Sequence, residues 1–164
     1  MKWYPTLKDS IKLFINQHKR NPFPDLVNFS TEKPDTFGRK FWVKIEKIGI
    51  KKEVLKDELN TTMIYGKNSQ IFPRTRTFGQ IEVSKKGNVV TAKTKNVIRY
   101  TLLISPSHFD IGEPIEVYTN GILSFKGFVS KNLETLLKYY ILDNDREMLY
   151  ASEIEIKVGK AYKD

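Results

Sequence analysis

The stretch IGEPIEVYTNGILSFKGFV, residues 111–129, predicts two β-strands that fold back on each other around Thr119-Asn120-Gly121. Asn-Gly between two apolar runs indicates a tight hairpin, because both residues tolerate positive φ angles. Two registers compete for this hairpin. A two-residue loop at Asn120-Gly121 would mix apolar and polar side chains on both faces, whereas a three-residue loop with Gly121 in a bulge would sort them.

We expect the three-residue loop, since a slip of one residue moves every side chain to the opposite face. In that register Tyr118 pairs with Ile122, and Glu116 pairs with Ser124 on the mostly polar face. The other face carries four apolar side chains toward the core: Ile115, Val117, Leu123 and Phe125. A second bulged three-residue turn is expected at Gly87.

Further short segments along the chain have strand character. They are 27–31, 40–48, 61–65, 80–83, 89–93, 97–104 and 148–158. The segment 97–104, VIRYTLLI, is apolar on both sides at its end, as expected of a central strand. Strands at about ten-residue spacing, joined by tight turns and without βαβ alternation, predict a mainly β fold. We expect an antiparallel β-sandwich of the immunoglobulin/fibronectin or jelly-roll type.

Two helices are predicted beside these strands. The first spans 6–19, has four apolar residues at helical spacing, and ends at the prolines of residues 21–24. Those apolar residues are Leu7, Ile11, Phe14 and Ile15. The second follows Val129, is capped by Ser130 or Asn132, and ends at 143–145. Residues 1–24 therefore form a helix with a proline-rich exit, either packed on the body or ending a preceding domain, and residues 25–164 form the β-sandwich domain.

Composition excludes several classes of protein. The 164 residues include no cysteine and two histidines, and the net charge is +9. The lack of cysteine excludes disulfides and thiolate sites, and two histidines exclude a histidine-rich metal site. No apolar segment approaches the ~20 residues of a membrane helix, and no signal peptide is visible. Lysines are scattered along the chain, which favours a solvated basic surface and makes nucleic acid an unlikely partner.

The sequence contains no complete catalytic or cofactor motif. A Gly-x-Ser-x-Gly elbow is missing. Ser107, His108 and Asp110 are neighbours in one loop, whereas the members of a catalytic triad converge from separated segments. The acidic run 143–145 lacks the glycine and glutamate of a calcium loop. We therefore predict no catalytic residue, no cofactor and no metal ion for this chain.

A ligand site is most readily placed at the long basic loop 66–79, because long loops on a rigid scaffold often carry function. Trp42, which alternation assigns to the polar face of strand 40–48, is a further candidate for stacking on a ligand. The alternative for this tryptophan is that it covers the sheet, since one indole without aromatic neighbours is not a binding platform. The possible ligand-binding residues are Trp42, Tyr65, Arg74 and Arg76.

Two stretches resemble the C-terminal β-sandwich module that follows an α/β-hydrolase domain in some bacterial esterase-like or prolyl-oligopeptidase-like proteins. The first is FINQHKRNPFP at 14–24, with VNFST at 27–31 and RKFWV at 39–43. The second is 89–129, with Asn96-Val97, Asp110, PIEV at 114–117 and Asn120-Gly121. The resemblance covers most of the chain except the insertion 51–79.

This resemblance implies that helix 6–19 is the last helix of a hydrolase domain, whose catalytic serine, aspartate and histidine lie upstream of Met1. The present chain would then be a non-catalytic accessory domain that aids substrate access or association, with the preceding hydrolase domain as its partner. Arg20 would anchor the exit at Pro22 and Pro24, and Trp42 would pack across the edge between the sheets. The alternative is a binding module for an oligosaccharide or peptide, and nucleic-acid binding ranks third.

Overall fold

The computed structural model describes residues 4–54, 61–70 and 75–159 of the chain. Its helices are α1 (Tyr4–Gln17), α2 (Pro34–Phe37) and α3 (Leu133–Asp143). Its strands are β1 (Leu26–Thr31), β2 (Arg39–Lys40), β3 (Val43–Ile48), β4 (Lys52–Val54), β5 (Thr61–Ile64), β6 (Lys67–Gln70), β7 (Thr75–Thr77), β8 (Gly79–Lys86), β9 (Val89–Lys95), β10 (Val97–Ile104), β11 (Ile115–Thr119), β12 (Ile122–Gly127) and β13 (Ser152–Lys157).

The strands form two large sheets and two short ribbons. One sheet has five strands in the order β1-β8-β9-β11-β12, and the other has four in the order β13-β10-β3-β2. The ribbons are β4–β7 and β5–β6. β10 pairs with β3 on one side and β13 on the other. β10 is therefore a central strand, as its apolar side chains on both faces predict.

The two large sheets pack face to face. Tyr100 on β10 and Thr119 on β11 belong to different sheets, and their hydroxyls are 2.7 Å apart inside the core. Burial raises the pKa of Tyr100 to about 12. Both sheets supply fully buried apolar residues, among them Val27, Val43, Ile45, Ile81, Val83, Val90, Leu102, Ile115, Val117 and Ile156. The predicted mainly β sandwich is therefore confirmed.

Replacing Tyr100 with phenylalanine is expected to lower the free energy of unfolding by about 1–2 kcal/mol, because the Thr119 hydroxyl loses its buried partner. Urea denaturation followed by far-UV circular dichroism measures this loss. The double variant with Thr119→Val removes both hydroxyls and should lose less than the two single variants together. Strictly additive losses would show that the two hydroxyls do not interact.

α3 lies on the outer side of the four-stranded sheet. Lys138 Nζ is 2.8 Å from Glu153 Oε1 of β13, and Tyr139 is buried. Asn132 caps the helix by accepting hydrogen bonds from the backbone N–H groups of Glu134 and Thr135. The helix ends at Asn144, which is left-handed, so both predicted boundaries of this helix are confirmed.

The hairpin β11–β12 differs from the predicted three-residue loop. Thr119 pairs with Ile122 across a two-residue turn, and Asn120 and Gly121 have φ angles of 51° and 84°. The register then shifts by one residue, so that Ser124 is a bulge. The bulge brings Phe125 opposite Val117. The two-residue turn therefore suits Asn-Gly, and Val117 and Phe125 share the core face as predicted. The predicted core position of Leu123 is wrong, because Leu123 pairs with Tyr118 on the other face.

One other predicted turn and one predicted strand also differ. Lys86 pairs with Val89, so Gly87-Asn88 is a two-residue loop with Gly87 at φ 60°. The predicted strand 40–48 is instead a hairpin of β2 and β3, whose loop is Phe41-Trp42. Since the chain reverses there, the alternation that assigned Trp42 to the polar face does not apply.

The five-stranded sheet contains one parallel pair, β9 with β11. The chain leaves β9, passes through β10 in the other sheet and returns to β11, so the opposite sheet provides the crossover that parallel strands require. The expectation of a wholly antiparallel arrangement is wrong at this pair. Asn96, at φ 54°, makes the turn between the sheets, and its side chain donates to the carbonyl oxygen of Phe78 at 2.8 Å.

The described residues 51–54, 61–70 and 75–79 are more regular than the predicted long loop 66–79, of which residues 71–74 lie outside the described ranges. β5 and β6 form a hairpin around Tyr65-Gly66, both with positive φ, and β7 pairs with β4. The strand predicted at 61–65 is confirmed as β5. In the described ranges, no helix has both the length and the apolar character needed to cross a bilayer.

Candidate functional site

The four predicted ligand-binding residues do not gather at one place. Trp42 has no exposed surface, and Tyr65 at the tip of the β5–β6 hairpin is fully exposed. These two aromatic side chains therefore cannot share one binding surface. Arg76 lies on β7 and lines a groove. Arg74 lies outside the described residues.

The groove has a volume of about 580 Å³ and lies at the end of β1. Its lining comes from the last residues of β1, the link to α2, α2 itself, and the chain entering β8: Ser30, Thr31, Glu32, Lys33, Phe37, Arg76 and Phe78. We call this set the β1 groove. Arg76 is the predicted ligand-binding residue that the structure places in it.

A tight turn positions α2 beside the β1 groove. Pro34 begins α2 with the φ angle that a first helical turn needs. The Gly38 carbonyl oxygen accepts a hydrogen bond from the Ile45 N–H at 2.7 Å. A Cβ at Gly38 would stand 2.1 Å from the Pro34 oxygen and 2.6 Å from the Ile45 oxygen. Only glycine therefore fits at this close approach, which holds α2 against β3.

The β1 groove is weakly basic. Arg76 Nη1 is 2.9 Å from Glu32 Oε1, and both side chains are about half exposed. Such a solvated pair contributes little to stability. Lys33 has no carboxylate partner among the described residues, and its backbone N–H donates to Thr31 Oγ1. The groove thus has two cations and one carboxylate.

One edge of β1 is open beside the groove. β1 pairs with β8, and no second strand adjoins it in the described part of the chain. The Lys85 N–H donates to the Asp25 oxygen, which makes Asp25 and Lys85 a hydrogen-bonded pair. By antiparallel alternation, Leu26, Asn28 and Ser30 turn their peptide groups to the open edge. The Asn28 oxygen agrees with this assignment, since it accepts from Lys40 Nζ at 3.0 Å.

The Trp42 side chain organises a second feature, an aromatic cluster under the loop 105–110. Its Nε1–H donates to the Pro24 oxygen at 2.7 Å. Its ring lies 5.3 Å from the His108 ring and 5.7 Å edge-on from Phe109, while Phe23 stacks on His108. The expectation that Trp42 lacks aromatic neighbours is therefore wrong.

His108 is the titratable member of this cluster. Burial lowers its pKa to about 4, and the nearby Lys85 cation acts in the same direction, while Asp25 opposes them. His108 Nε2 is buried and has no hydrogen-bond partner in the described ranges. The ring is therefore neutral at pH 7 and acts as a packing group. The polar residues around His108 predict an exposed loop, and Phe109 is the one neighbour in sequence that indicates burial.

A charged cluster ties the exit of α1 to the end of α3. Arg20 forms an ion pair with Asp145, and this hydrogen bond lowers the pKa of the Asp145 carboxyl. Arg39 Nη2 is 2.5 Å from Asp143 Oδ1. The Arg39 guanidinium also lies 5.8 Å from the ring of the fully buried Tyr150. The predicted anchoring role of Arg20 thus has a specific partner that the sequence did not reveal.

Two apolar surfaces are exposed to solvent. Every described side chain of α1, from residue 7 to 17, is exposed, including Phe14 at 61%. α3 exposes an apolar stripe on the side opposite Tyr139: Leu133, Leu137 and Ile141.

A second groove of about 410 Å³ lies between the start of α3 and the loop 105–107. Within the described ranges, no cluster of three or more His, Asp or Glu side chains is arranged to hold a metal ion.

Comparisons of the chain with protein-family models, with curated proteins and with solved structures found no match.

Proposed function

We propose that this chain is a non-catalytic accessory β-sandwich domain of a larger hydrolase, where it aids substrate access or association. The hydrolase domain precedes α1 in the same polypeptide. The observation that carries this proposal is the exposed apolar stripe of α1, which has no cover among the described residues. Leu7, Ile11, Phe14 and Ile15 all belong to it.

The physics of a short helix supports a neighbouring domain as the cover. α1 has 14 residues, and isolated helices of this length are marginal in water. Most helical stability in proteins comes from packing an apolar face. Burying each large apolar side chain contributes on the order of 1.5–3 kcal/mol. A folded domain placed against α1 would provide that burial.

The exit of α1 is fixed to the sandwich, which supports a defined placement of such a domain. Arg20 pairs with Asp145 after α3, and the Pro24 oxygen accepts from the buried Trp42. Both contacts lie within a few residues of the end of α1. A domain that packs on α1 would therefore be held close to the sandwich.

The coding sequence upstream of Met1 is expected to encode an α/β-hydrolase domain. In the joined polypeptide, Ile11→Asp combined with Phe14→Asp should lower the free energy of unfolding by about 3–6 kcal/mol, because two apolar contacts between the domains are lost. In the 164-residue chain alone the same pair should change it by less than about 0.5 kcal/mol, because both side chains are already exposed. Thermal and urea denaturation of the two proteins measure the difference.

The matched control is Lys8→Asp combined with Lys12→Asp, which places the same new carboxylates on α1 outside the apolar stripe. This control should leave the joined polypeptide close to its original stability. Hydrolysis of p-nitrophenyl acetate or of a peptide by the 164-residue chain alone would contradict a non-catalytic role. An upstream coding sequence without a hydrolase domain would contradict the identity of the partner.

A second candidate function is a binding module for a carbohydrate or a peptide. The observation that favours it is the β1 groove, which combines Arg76 with two phenylalanines and an open strand edge. Trp42 does not contribute to this function, because its ring is buried in the core. The groove and the stripe of α1 are separate surfaces, so the two functions are compatible.

A further inference from the structure

We infer that the β1 groove binds an extended peptide that carries carboxylate side chains, with the peptide backbone added as a new strand along the open edge of β1. This inference rests on the second candidate function and names its ligand. An edge strand with free peptide groups is a template for strand addition, in which main-chain hydrogen bonds give affinity and neighbouring pockets give specificity.

The open edge restricts where the peptide lies. Leu26, Asn28 and Ser30 direct their peptide groups outward, but Lys40 already occupies the Asn28 oxygen. Pairing is therefore favoured at Ser30, which is also the first residue of the groove lining. A strand added at Ser30 passes directly over the groove.

The charge of the groove selects a carboxylate. Lys33 and Arg76 are opposed by Glu32 alone within the lining, which leaves one positive charge in excess. Arg76 is exposed enough to exchange or share its contact with Glu32, because both side chains of that pair are about half solvated. A carboxylate of the peptide then receives hydrogen bonds from a guanidinium or an ammonium group, which are the stronger kind.

The two phenylalanines select an apolar residue beside the carboxylate. Phe37 is 69% exposed on α2, and Phe78 also lines the groove. Side chains of an added strand alternate between its two faces, about 6.6 Å apart on one face. A peptide that alternates apolar and acidic residues therefore carries carboxylates on one face of the added strand and apolar side chains on the other. One face suits the cations of the groove and the other suits its phenylalanines.

Peptide is favoured over nucleic acid and over oligosaccharide at this groove. Glu32 would repel a phosphate backbone, and one excess charge is far below the several phosphate contacts typical of nucleic-acid binding. Oligosaccharides do not use the alternating N–H and C=O groups of an open strand edge. A peptide combines main-chain groups for the open edge with side chains that suit the groove.

The test is a ¹⁵N–¹H NMR titration of the 164-residue protein with the capped peptide acetyl-VEVEV-amide. We expect saturable shifts of the Ser30, Thr31 and Lys33 amides. The matched peptide acetyl-VQVQV-amide should bind at least about fivefold more weakly, because it lacks the charge-assisted hydrogen bonds. Parallel titrations use cellohexaose and a short single-stranded thymidine oligonucleotide.

Variants separate the backbone contribution from the charge contribution. Ser30→Pro removes an N–H that points away from β8, so the sheet should tolerate it as an edge position does. It should weaken peptide binding at least about tenfold, because one backbone hydrogen bond to the peptide is lost and the proline ring occupies space next to the added strand. Leu26→Pro is the matched control, because it removes the N–H of another outward-facing residue at the far end of β1. Lys33→Glu should weaken binding similarly, whereas Lys86→Glu at the distant end of β8 should not.

The outcomes distinguish this inference from the candidate function on which it rests. Equal affinity for the two peptides, or amide chemical-shift changes away from β1, would overturn the inference that a carboxylate peptide adds as a strand along β1. Binding of cellohexaose in the groove without peptide binding overturns the inference and keeps a carbohydrate-binding function. Preference for the oligonucleotide overturns both in favour of nucleic acid. Lack of response to all probes at the groove overturns the binding function itself.

Discussion

Replacing Trp42 with alanine is expected to lower the free energy of unfolding by about 3–5 kcal/mol, the range for deleting a large buried aromatic side chain. The indole has no exposed surface. It contacts the rings of His108 and Phe109 and donates a hydrogen bond to the Pro24 oxygen. The substitution therefore opens a cavity and leaves a carbonyl group without its partner. Urea denaturation followed by far-UV circular dichroism measures the loss without relying on tryptophan fluorescence.

Trp42→Phe is the control that separates packing from hydrogen bonding. It keeps an aromatic ring in the cluster and removes the Nε1–H, so we expect a smaller loss of about 1–3 kcal/mol. Tyr65→Ala is the control for an exposed aromatic side chain and should change stability by less than about 0.5 kcal/mol. A loss below about 1 kcal/mol for Trp42→Ala would contradict a structural role for the indole.

The sequence predicted the strands of the sandwich because their patterns are local. Alternation in residues 97–104 and 148–158 identified β10 and β13, and Asn132 and Asn144 marked both ends of α3. These signals need only neighbouring residues, since a cap or a strand face is set within a few positions. The class of fold followed from the spacing of such segments.

Turn geometry was predicted less well, because the turn preference and the alternation of strand faces are local rules that packing can override. At residues 119–125 the turn preference and the sorting of the faces predict different registers. The structure keeps the two-residue turn and adds a bulge at Ser124, which returns Phe125 to the face of Val117 and leaves Leu123 on the other face. At Trp42 alternation predicts a continuous strand, whereas Phe41 at φ 53° reverses the chain. One reversed turn changed an expected surface residue into the centre of a buried cluster.

The candidate site was predictable only in part, for a related reason. Arg76 was named because arginines and phenylalanines are close in sequence. Its groove partners Glu32, Lys33 and Phe37 are about 40 residues away along the chain. They meet Arg76 because β1 pairs with β8 in the same sheet. The open edge of β1 is likewise a property of strand order, which no local pattern reports.

Lowering the pH from 6.5 to 4 is expected to reduce the free energy of unfolding through His108. Its pKa in the folded protein is about 4, mainly because of burial, against 6.5 for an unperturbed histidine. Between these values the unfolded chain binds a proton that the folded protein does not, so stability falls as the pH falls. Because His108 is only partly buried, solvent screening reduces the effect of this shift. We expect a loss on the order of 1–2 kcal/mol, with the stability present in full above pH 6.5 and lost as the pH falls through 4.

His108→Phe tests this assignment because it keeps an aromatic ring and removes the titration. The variant should lose the His108 contribution to the acid dependence, so its stability relative to the original protein should rise by about 1–2 kcal/mol between pH 6.5 and 4. His18→Gln is the matched control, since His18 is exposed on the surface. If the free energy of unfolding depended on pH equally in the original protein and in His108→Phe, protonation of His108 would not destabilise the folded protein. His108 would then not be packed as a neutral ring between Trp42 and Phe23.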